Sequence, residues 1–324
     1  MNFESLGKSG AVEGFCLVKI CDKKTTAKGM PYLDMVLSDS SGEIVAKLWD
    51  YKEELHGNYE ANNIVKIRGT ISPYNGVDQL RIERIRLAID ADNINIEDFV
   101  QAADYSGDMM LAELENIVST FTDIDFKNIV LRLLKDNREK LLYWPAAFKL
   151  HHAIRGGLLY HTLSVVRLAQ SVCKIYPSVN PDLLLAGAIL HDIGKLDEFE
   201  VAATGLASGY TIDGNLIGHL VRGAIAVEKV AEELRIPADK YRLLQHMLIS
   251  HHGEPEFGAA VRPMLLEAEV LASLDLLDSR IFEIENSVTD IAKGEFSQRQ
   301  WALDNRKFYN HGLSAVDTKA NLKG

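Results

Sequence analysis

From Gly14 to Ala88, hydrophobic and polar residues alternate with a period of two, in runs divided by turn residues. Gly14–Cys21 is the first run. Lys28-Gly29-Met30-Pro31 turns the chain into Tyr32–Ser38, and Asp39-Ser40-Ser41-Gly42 turns it again into Glu43–Trp49. Tyr51–Tyr59 fits a short helix. Ile64–Tyr74 and Val77–Ala88 then flank Asn75-Gly76, a pair that readily takes the left-handed backbone of a two-residue hairpin turn. Ile64, Lys66 and Arg68 alternate with Val65, Ile67 and Gly69, and Leu80, Ile82, Ile85 and Leu87 answer them across the hairpin.

Near residue 91 the period changes from two to 3.6. Met110, Leu111, Leu114, Ile117, Val118 and Phe121 make one helical stripe, and Phe126, Ile129, Val130, Leu133 and Leu134 make another. After about 146 the whole chain reads as helix with short loops. Asn180-Pro181 is a helix start, an N-cap followed by proline at the first helical position. The helix it opens runs through Leu183–Leu190 and ends at His191-Asp192-Ile193-Gly194. Five short strands with a helix between the third and fourth is the order of an OB-fold barrel. The predicted fold is therefore a multidomain α+β chain. A five-stranded OB-fold β-barrel covers 1–90, a helical connector 91–145 and an all-α domain 146–290, with a loosely packed polar tail over 291–324.

Composition fits this picture. The 324 residues are 47% hydrophobic and 25% charged, which argues against disorder and fibrous architectures. No apolar run approaches membrane-spanning length, and MNFESLGKSG lacks the basic start and apolar stretch of a secretory leader. Cys16, Cys21 and Cys173 are too few for a disulfide framework, and Cys16 and Cys21, five apart on a strand, should face opposite ways. A reducing cytoplasm is expected. The net charge of -11 excludes a broad basic face for duplex DNA. It is unevenly spread: residues 1–90 hold 12 basic and 13 acidic residues, and the remaining 234 hold 23 and 33. A nearly neutral barrel suits a single strand held by stacking and a few cations, with modest salt dependence.

Eight of the ten histidines lie between 151 and 252. In order the chain presents His161, His191-Asp192, His219, His251-His252 and Asp275. Imidazole and carboxylate suit borderline to hard divalent ions such as Mn²⁺, Fe²⁺ or Mg²⁺, and the lack of cysteine argues against structural zinc. A carboxylate has two oxygens, so Asp192 can bridge two ions while His191 holds one. Such a pair of ions activates water and clamps a phosphoryl group for in-line displacement. A single buried histidine is ordinarily a satisfied core residue. The conjunction within one helical stretch is what points to metal.

Residues 151–280 resemble the HD-domain phosphohydrolases, an all-helical superfamily with the pattern H…HD…D. The pattern falls here on His161, His191, Asp192 and Asp275, with Asp278 the alternative last ligand. The resemblance implies that His219, His251 and His252 are the added ligands of two-metal members and that Asp192 bridges. A barrel, a connector and an HD domain carrying His191-Asp192-Ile193-Gly194-Lys195 and Ser250-His251-His252-Gly253 together resemble the YhaM-type 3′–5′ exoribonucleases of bacteria over about residues 10–290. Tyr32-Leu33-Asp34, Leu37-Ser38-Asp39, Ala46-Lys47-Leu48-Trp49-Asp50 and the stretch from His151 to Thr162 carry the rest of that likeness.

The supporting residues have weaker signals. Lys195, one turn past Asp192, suits charge neutralisation on a phosphate oxygen, or is a solvated helix-end lysine. His152 and Arg155 are candidate substrate-phosphate contacts, or plain surface charge. His151 and His246 are expected to be structural or to support ligands. In the barrel, Phe15, Tyr32, Trp49 and Tyr74 are candidate base-stacking platforms, Trp49 foremost, and Lys47, Lys66, Arg68 and Arg81 candidate backbone contacts. Most aromatics of a small barrel are core.

The expected function is a metal-dependent exonuclease holding two divalent ions, Mn²⁺ first, with Mg²⁺, Fe²⁺ and Co²⁺ as alternatives. The family resemblance implies 3′ to 5′ direction, single-stranded RNA with single-stranded DNA as a second substrate, and nucleoside 5′-monophosphate products. The alternative is an HD phosphodiesterase acting on small nucleotides or cyclic dinucleotides. That branch carries a GYP motif after the paired histidines, where this chain has Gly253-Glu254-Pro255-Glu256-Phe257-Gly258, and can carry a carboxylate four before the first histidine, where this chain has Gly157. A non-catalytic strand-binding adaptor would have lost ligands, and none is lost.

Overall fold

In a computed structural model, residues 10–39, 42–74, 76–148 and 152–313 are described. The chain divides into two compact units, Met1–Ala102 with Val201–Ser208, and Ala103–Glu200 with Gly209–Gly324.

The first unit is a closed five-stranded barrel in the order β1-β2-β3-β5-β4, the connectivity of an OB-fold. Its strands are β1 (Gly10–Thr25), β2 (Pro31–Ser38), β3 (Glu43–Leu48), β4 (Ile64–Tyr74) and β5 (Val77–Leu87), with α1 (Glu53–His56) between β3 and β4. All neighbours pair antiparallel except β3 with β5, which run parallel and close the barrel. Met35, Leu37, Ile67 and Leu80 fill the core. The helix is shorter than the expected Tyr51–Tyr59, because Tyr51 and Tyr59 turn inward and are buried in that core instead. Asn75 lies outside the described residues.

Irregular pairing corrects the cysteine expectation. The β1–β2 register shifts between Val18 and Ile20, so the alternation changes phase and Cys21 pairs with the core residue Met35. Cys16 and Cys21 therefore both pack on the barrel core, and all three cysteines are free. A second shift, between Arg68 and Gly69, lets Ile82 and Ile85 both turn inward although three apart. Gly69 is required there, since a Cβ would meet the Arg81 carbonyl oxygen at 2.3 Å.

The second unit is helical. The two expected stripes form the buried faces of α2 (Gly107–Ser119) and α3 (Ile124–Asp136), with α4 (Arg138–Leu141) following. Then come α5 (Gly157–Ile175), α6 (Pro181–Leu190), α7 (Lys195–Glu198), α8 (Ile212–Leu216), α9 (His219–Glu233), α10 (Ala238–Ser250) and α11 (Leu266–Val288). Helix α6 is apolar and buried all round. Asn180 caps it, its side chain accepting from Leu183 N, with Pro181 behind.

Two details differ from the all-helical expectation. Strands β6 (Phe199–Val201) and β7 (Ala207–Tyr210) form a two-stranded sheet after α7, and the turn between them, with Gly205 at φ 82°, belongs to the barrel unit. Residues 291–313 are also less loose than expected: Phe296 bridges Tyr309, Gln300 bridges Arg306, and Ser297 and Leu303 are buried. Among the described residues, no helix is long and apolar enough to cross a membrane.

Candidate metal centre

The candidate ligands sit at helix ends around buried α6. His191 and Asp192 follow its last residue, and His251 and His252 follow the last residue of α10. The negative ends of two helix dipoles therefore point at the cluster, where a cation gains most. His219 opens α9, His161 lies in the second turn of α5, and Asp275 projects from α11.

The structure brings seven predicted ligands together. His161 Nε2 lies 3.1 Å from His191 Nε2 and 3.0 Å from Asp275 Oδ1. Asp192 presents Oδ2 to His191 Nε2 at 3.3 Å and to His161 Nε2 at 3.8 Å. Its Oδ1 faces His219 Nε2 at 3.6 Å and His251 Nε2 at 3.7 Å. His252 stands beside both, its ring 5.2 Å from that of His219 and 4.5 Å from that of His251. Two separate groups, His161 with His191 and Asp192, and His219 with His251 and His252, have the spacing of metal-ligand sets. The two carboxylate oxygens of Asp192 address one group each.

The outward nitrogens explain why the inward ones point in. His191, His251 and His252 direct Nδ1 to the carbonyl oxygens of Ala188, Leu248 and Phe257 at 2.8, 2.7 and 2.9 Å. His161 directs Nδ1 to Asp278 at 2.7 Å, and His219 to Glu198 at 3.0 Å. A carbonyl or carboxylate only accepts, so each Nδ1 carries the proton, and in the neutral ring Nε2 is a lone pair. Asp192 Oδ1, His219 Nε2 and His251 Nε2 are all buried without a hydrogen-bond partner. Three acceptors that converge with no proton among them fit a cation.

The pKa shifts reflect the charges gathered in the cluster, and the charged ring of His161 must release its Nε2 proton to a cation. Burial disfavours the charged ring of His161, but Asp275 and Asp278 outweigh it and hold this group up at about 10. His252 is pushed down to about 3 by burial, with His251 and His219 adding to it. Burial alone would raise Asp192, yet Lys195 and His191 hold it well below the usual carboxylate range. The donors compensate one another's charge, as an assembled ligand set must.

The remaining predicted residues separate. Lys195 is buried, not solvated, and gives Nζ to Asp192 Oδ2 at 2.7 Å. His152 is not a surface contact: it is 2% exposed behind His161, with Nε2 3.0 Å from Asp278 Oδ2. Arg155 lies over the Tyr143 ring at 5.4 Å. His246 supports no ligand ring, and its Nε2 accepts from Met264 N at 2.8 Å. His151 lies outside the described residues. Asp275 faces the ligands, and Asp278 stands behind His161.

On the barrel, Tyr32 and Trp49 pack with ring centroids 4.7 Å apart, and Lys47 Nζ lies 5.0 and 5.6 Å from the two centroids. Trp49 is 37% exposed. Arg81 stands beside Lys47 in the β3–β5 register. Lys66 and Arg68 lie elsewhere, on β4, and all three cations are near an acid: Lys47 near Asp34 at 3.5 Å, Lys66 near Glu13 at 3.7 Å and Arg68 near Glu83 at 4.0 Å. Phe15 sits under Lys66, and Tyr74 ends β4 exposed. The residue that sequence reasoning missed is Glu198, one of three acids among Asp197, Glu198 and Glu200, whose role exists only once α7 meets α9.

Residues 158–280 match the HD domain family. The 3′-5′ exoribonuclease YhaM of Listeria innocua is 40% identical over 299 residues, covering 92% of this chain and 95% of that protein. That of Bacillus subtilis is 36% identical over 298 residues, covering 92% and 94%. Among solved structures, the HD domain of the Listeria monocytogenes phosphodiesterase PgpH matches at 18% identity and TM-score 0.31, over 46% of this chain and 73% of that one, too remote to bear on function. Identity at this level along nearly the whole length of both chains places the protein in the YhaM family of 3′–5′ exoribonucleases.

Proposed function

We propose that this chain is a metal-dependent 3′–5′ exoribonuclease that shortens single-stranded RNA, with single-stranded DNA a second substrate, and releases nucleoside 5′-monophosphates. The observation that carries this reading is Asp192, whose two oxygens face two separate groups of imidazole nitrogens. His161, His191, Asp192 and Asp275 would hold one ion, and Asp192, His219, His251 and His252 a second. Mn²⁺ suits this mixed donor set best, with Mg²⁺, Fe²⁺ and Co²⁺ as alternatives. Bound there, the ions would supply Lewis acidity at phosphorus and an acidified water.

The chain's own groups do the rest. Lys195 keeps a buried positive charge beside Asp192, placed to offset negative charge on a non-bridging phosphate oxygen. Tyr32, Trp49 and Lys47 give the barrel an aromatic pair with a cation over it, a surface for stacking bases and holding one phosphate. Arg68, partly neutralised by Glu83, would contribute a weaker backbone contact.

Two measurements test this. With Mn²⁺, 5′-labelled single-stranded RNA should shorten in single-nucleotide steps, and 3′-labelled RNA should release its label as a mononucleotide at the first step. A chelator should stop both. Metal-dependent hydrolysis of a cyclic dinucleotide with the RNA left intact would favour the small-molecule reading instead. Trp49→Ala should raise KM for RNA about 5- to 150-fold, the equivalent of about 1–3 kcal/mol per stacked base. An unchanged KM would remove Trp49 from the strand path.

A further inference from the structure

Each half of the centre contains one histidine backed by a carboxylate, and the others are backed by carbonyls. In the first half His161 gives Nδ1 to Asp278, while His191 gives it to Ala188 O. In the second, His219 gives Nδ1 to Glu198, while His251 and His252 give it to Leu248 O and Phe257 O. A carboxylate acceptor makes the opposite nitrogen more basic and fixes ring orientation more firmly than a neutral carbonyl. The distribution, one per half, means that each ion position has one strengthened ligand.

Both acids are anchored by more than the ring they serve. Glu198 is buried, and its Oε1 also faces the backbone N of His219 at 3.3 Å, so one oxygen fixes both ring and main chain. Asp278 Oδ2 is shared with His152 Nε2 at 3.0 Å. His152 reaches it from a left-handed backbone, φ 54°, with its ring packed on Phe282 at 3.9 Å between centroids. A non-glycine residue persists in that conformation only where its surroundings demand it. Here the demand is a second donor to Asp278.

We propose that Glu198 and Asp278 are positioning residues, one for each half, that set the metal affinity of the two halves separately. The proposal rests on the metal-dependent reading above. It concerns neither the ligands nor the reaction, only what holds two of the imidazoles in place.

The test uses the full chain and Mn²⁺ alone, in an isothermal titration that resolves two binding steps. Glu198→Gln should weaken one step 10- to 100-fold and leave the other within about twofold, and Asp278→Asn should do the reverse. His152→Phe keeps a ring against Phe282 but removes one donor to Asp278. It should weaken the Asp278 step by a smaller factor, and it remains informative if Asp278→Asn fails to fold. Thermal melting in excess chelator separates positioning from general support. Variants that melt earlier yet bind Mn²⁺ with unchanged affinity would overturn the proposal, as would single variants that weaken both steps equally. A wild-type chain that binds no Mn²⁺ would overturn the metal reading itself, and this proposal with it.

Discussion

Asp192→Asn should abolish metal-dependent shortening of RNA while leaving the protein folded. The substitution preserves shape and volume. It replaces one carboxylate oxygen with an NH₂ group, which can only donate. Oδ2 faces His161, His191 and Lys195, and Oδ1 faces His219 and His251, so both groups of ligands lose the anion, and whichever position the nitrogen takes, one of them meets a donor where it had an acceptor. The removed charge is also the one that Lys195 and the surrounding imidazoles compensate. Loss of several kcal/mol of transition-state stabilisation corresponds to about 10³-fold or more in kcat. The measurement is single-turnover decay of 5′-labelled RNA at saturating Mn²⁺, beside metal content by mass spectrometry. Content should fall from two ions to at most one. A variant that binds two ions and degrades RNA at the wild-type rate would remove Asp192 from the bridge.

This centre was legible because its ligands are chemically rare in a helical stretch and fall at helix ends that the sequence also marks. Asn180-Pro181 announces α6, so His191-Asp192 reads as its far end. The barrel was legible for a similar reason, since alternation and turn residues are local signals. What stayed hidden depends on backbone detail. Cys21 turns inward because one register shift in β1 changes the phase of the alternation, and no single residue there announces a bulge. His152 looks like an exposed cation in a polar entry segment. Its left-handed φ sends the ring inward to Asp278, and nothing about a histidine predicts that. Glu198 is the last residue of α7 and lies 21 residues before His219, so their contact follows only from the packing of α7 against α9. The β6–β7 sheet was missed because three- and four-residue strands are too short for periodicity to show.

The glycine in the His191–Lys195 turn illustrates a different kind of hidden constraint, and it carries the second large effect. Gly194→Ala should cripple the protein although alanine is the smallest possible side chain. A Cβ at 194 would lie 2.1 Å from the carbonyl oxygen of His219 and 2.8 Å from the amide nitrogen of Gly223. Both are backbone atoms of α9, so no rotamer change relieves the clash and the helix itself must retreat. The residue on its first turn is His219, so retreat pulls that ring away from Asp192 Oδ1, now 3.6 Å off, and from Glu198. Overpacking of this kind costs about 1–3 kcal/mol, a melting shift of a few degrees per kcal/mol. A ligand misplaced by about 1 Å can cost about 10²-fold in rate. Gly209→Ala is the matched control: its Cβ would meet only the flexible end of Glu200, at 3.4 Å, so it should leave melting temperature and rate nearly unchanged. Melting in chelator and kcat at saturating Mn²⁺ are the two readouts. If Gly194→Ala behaves like Gly209→Ala in both, then α9 is not held against this turn, and the second group of ligands is positioned by something other than the packing of α9.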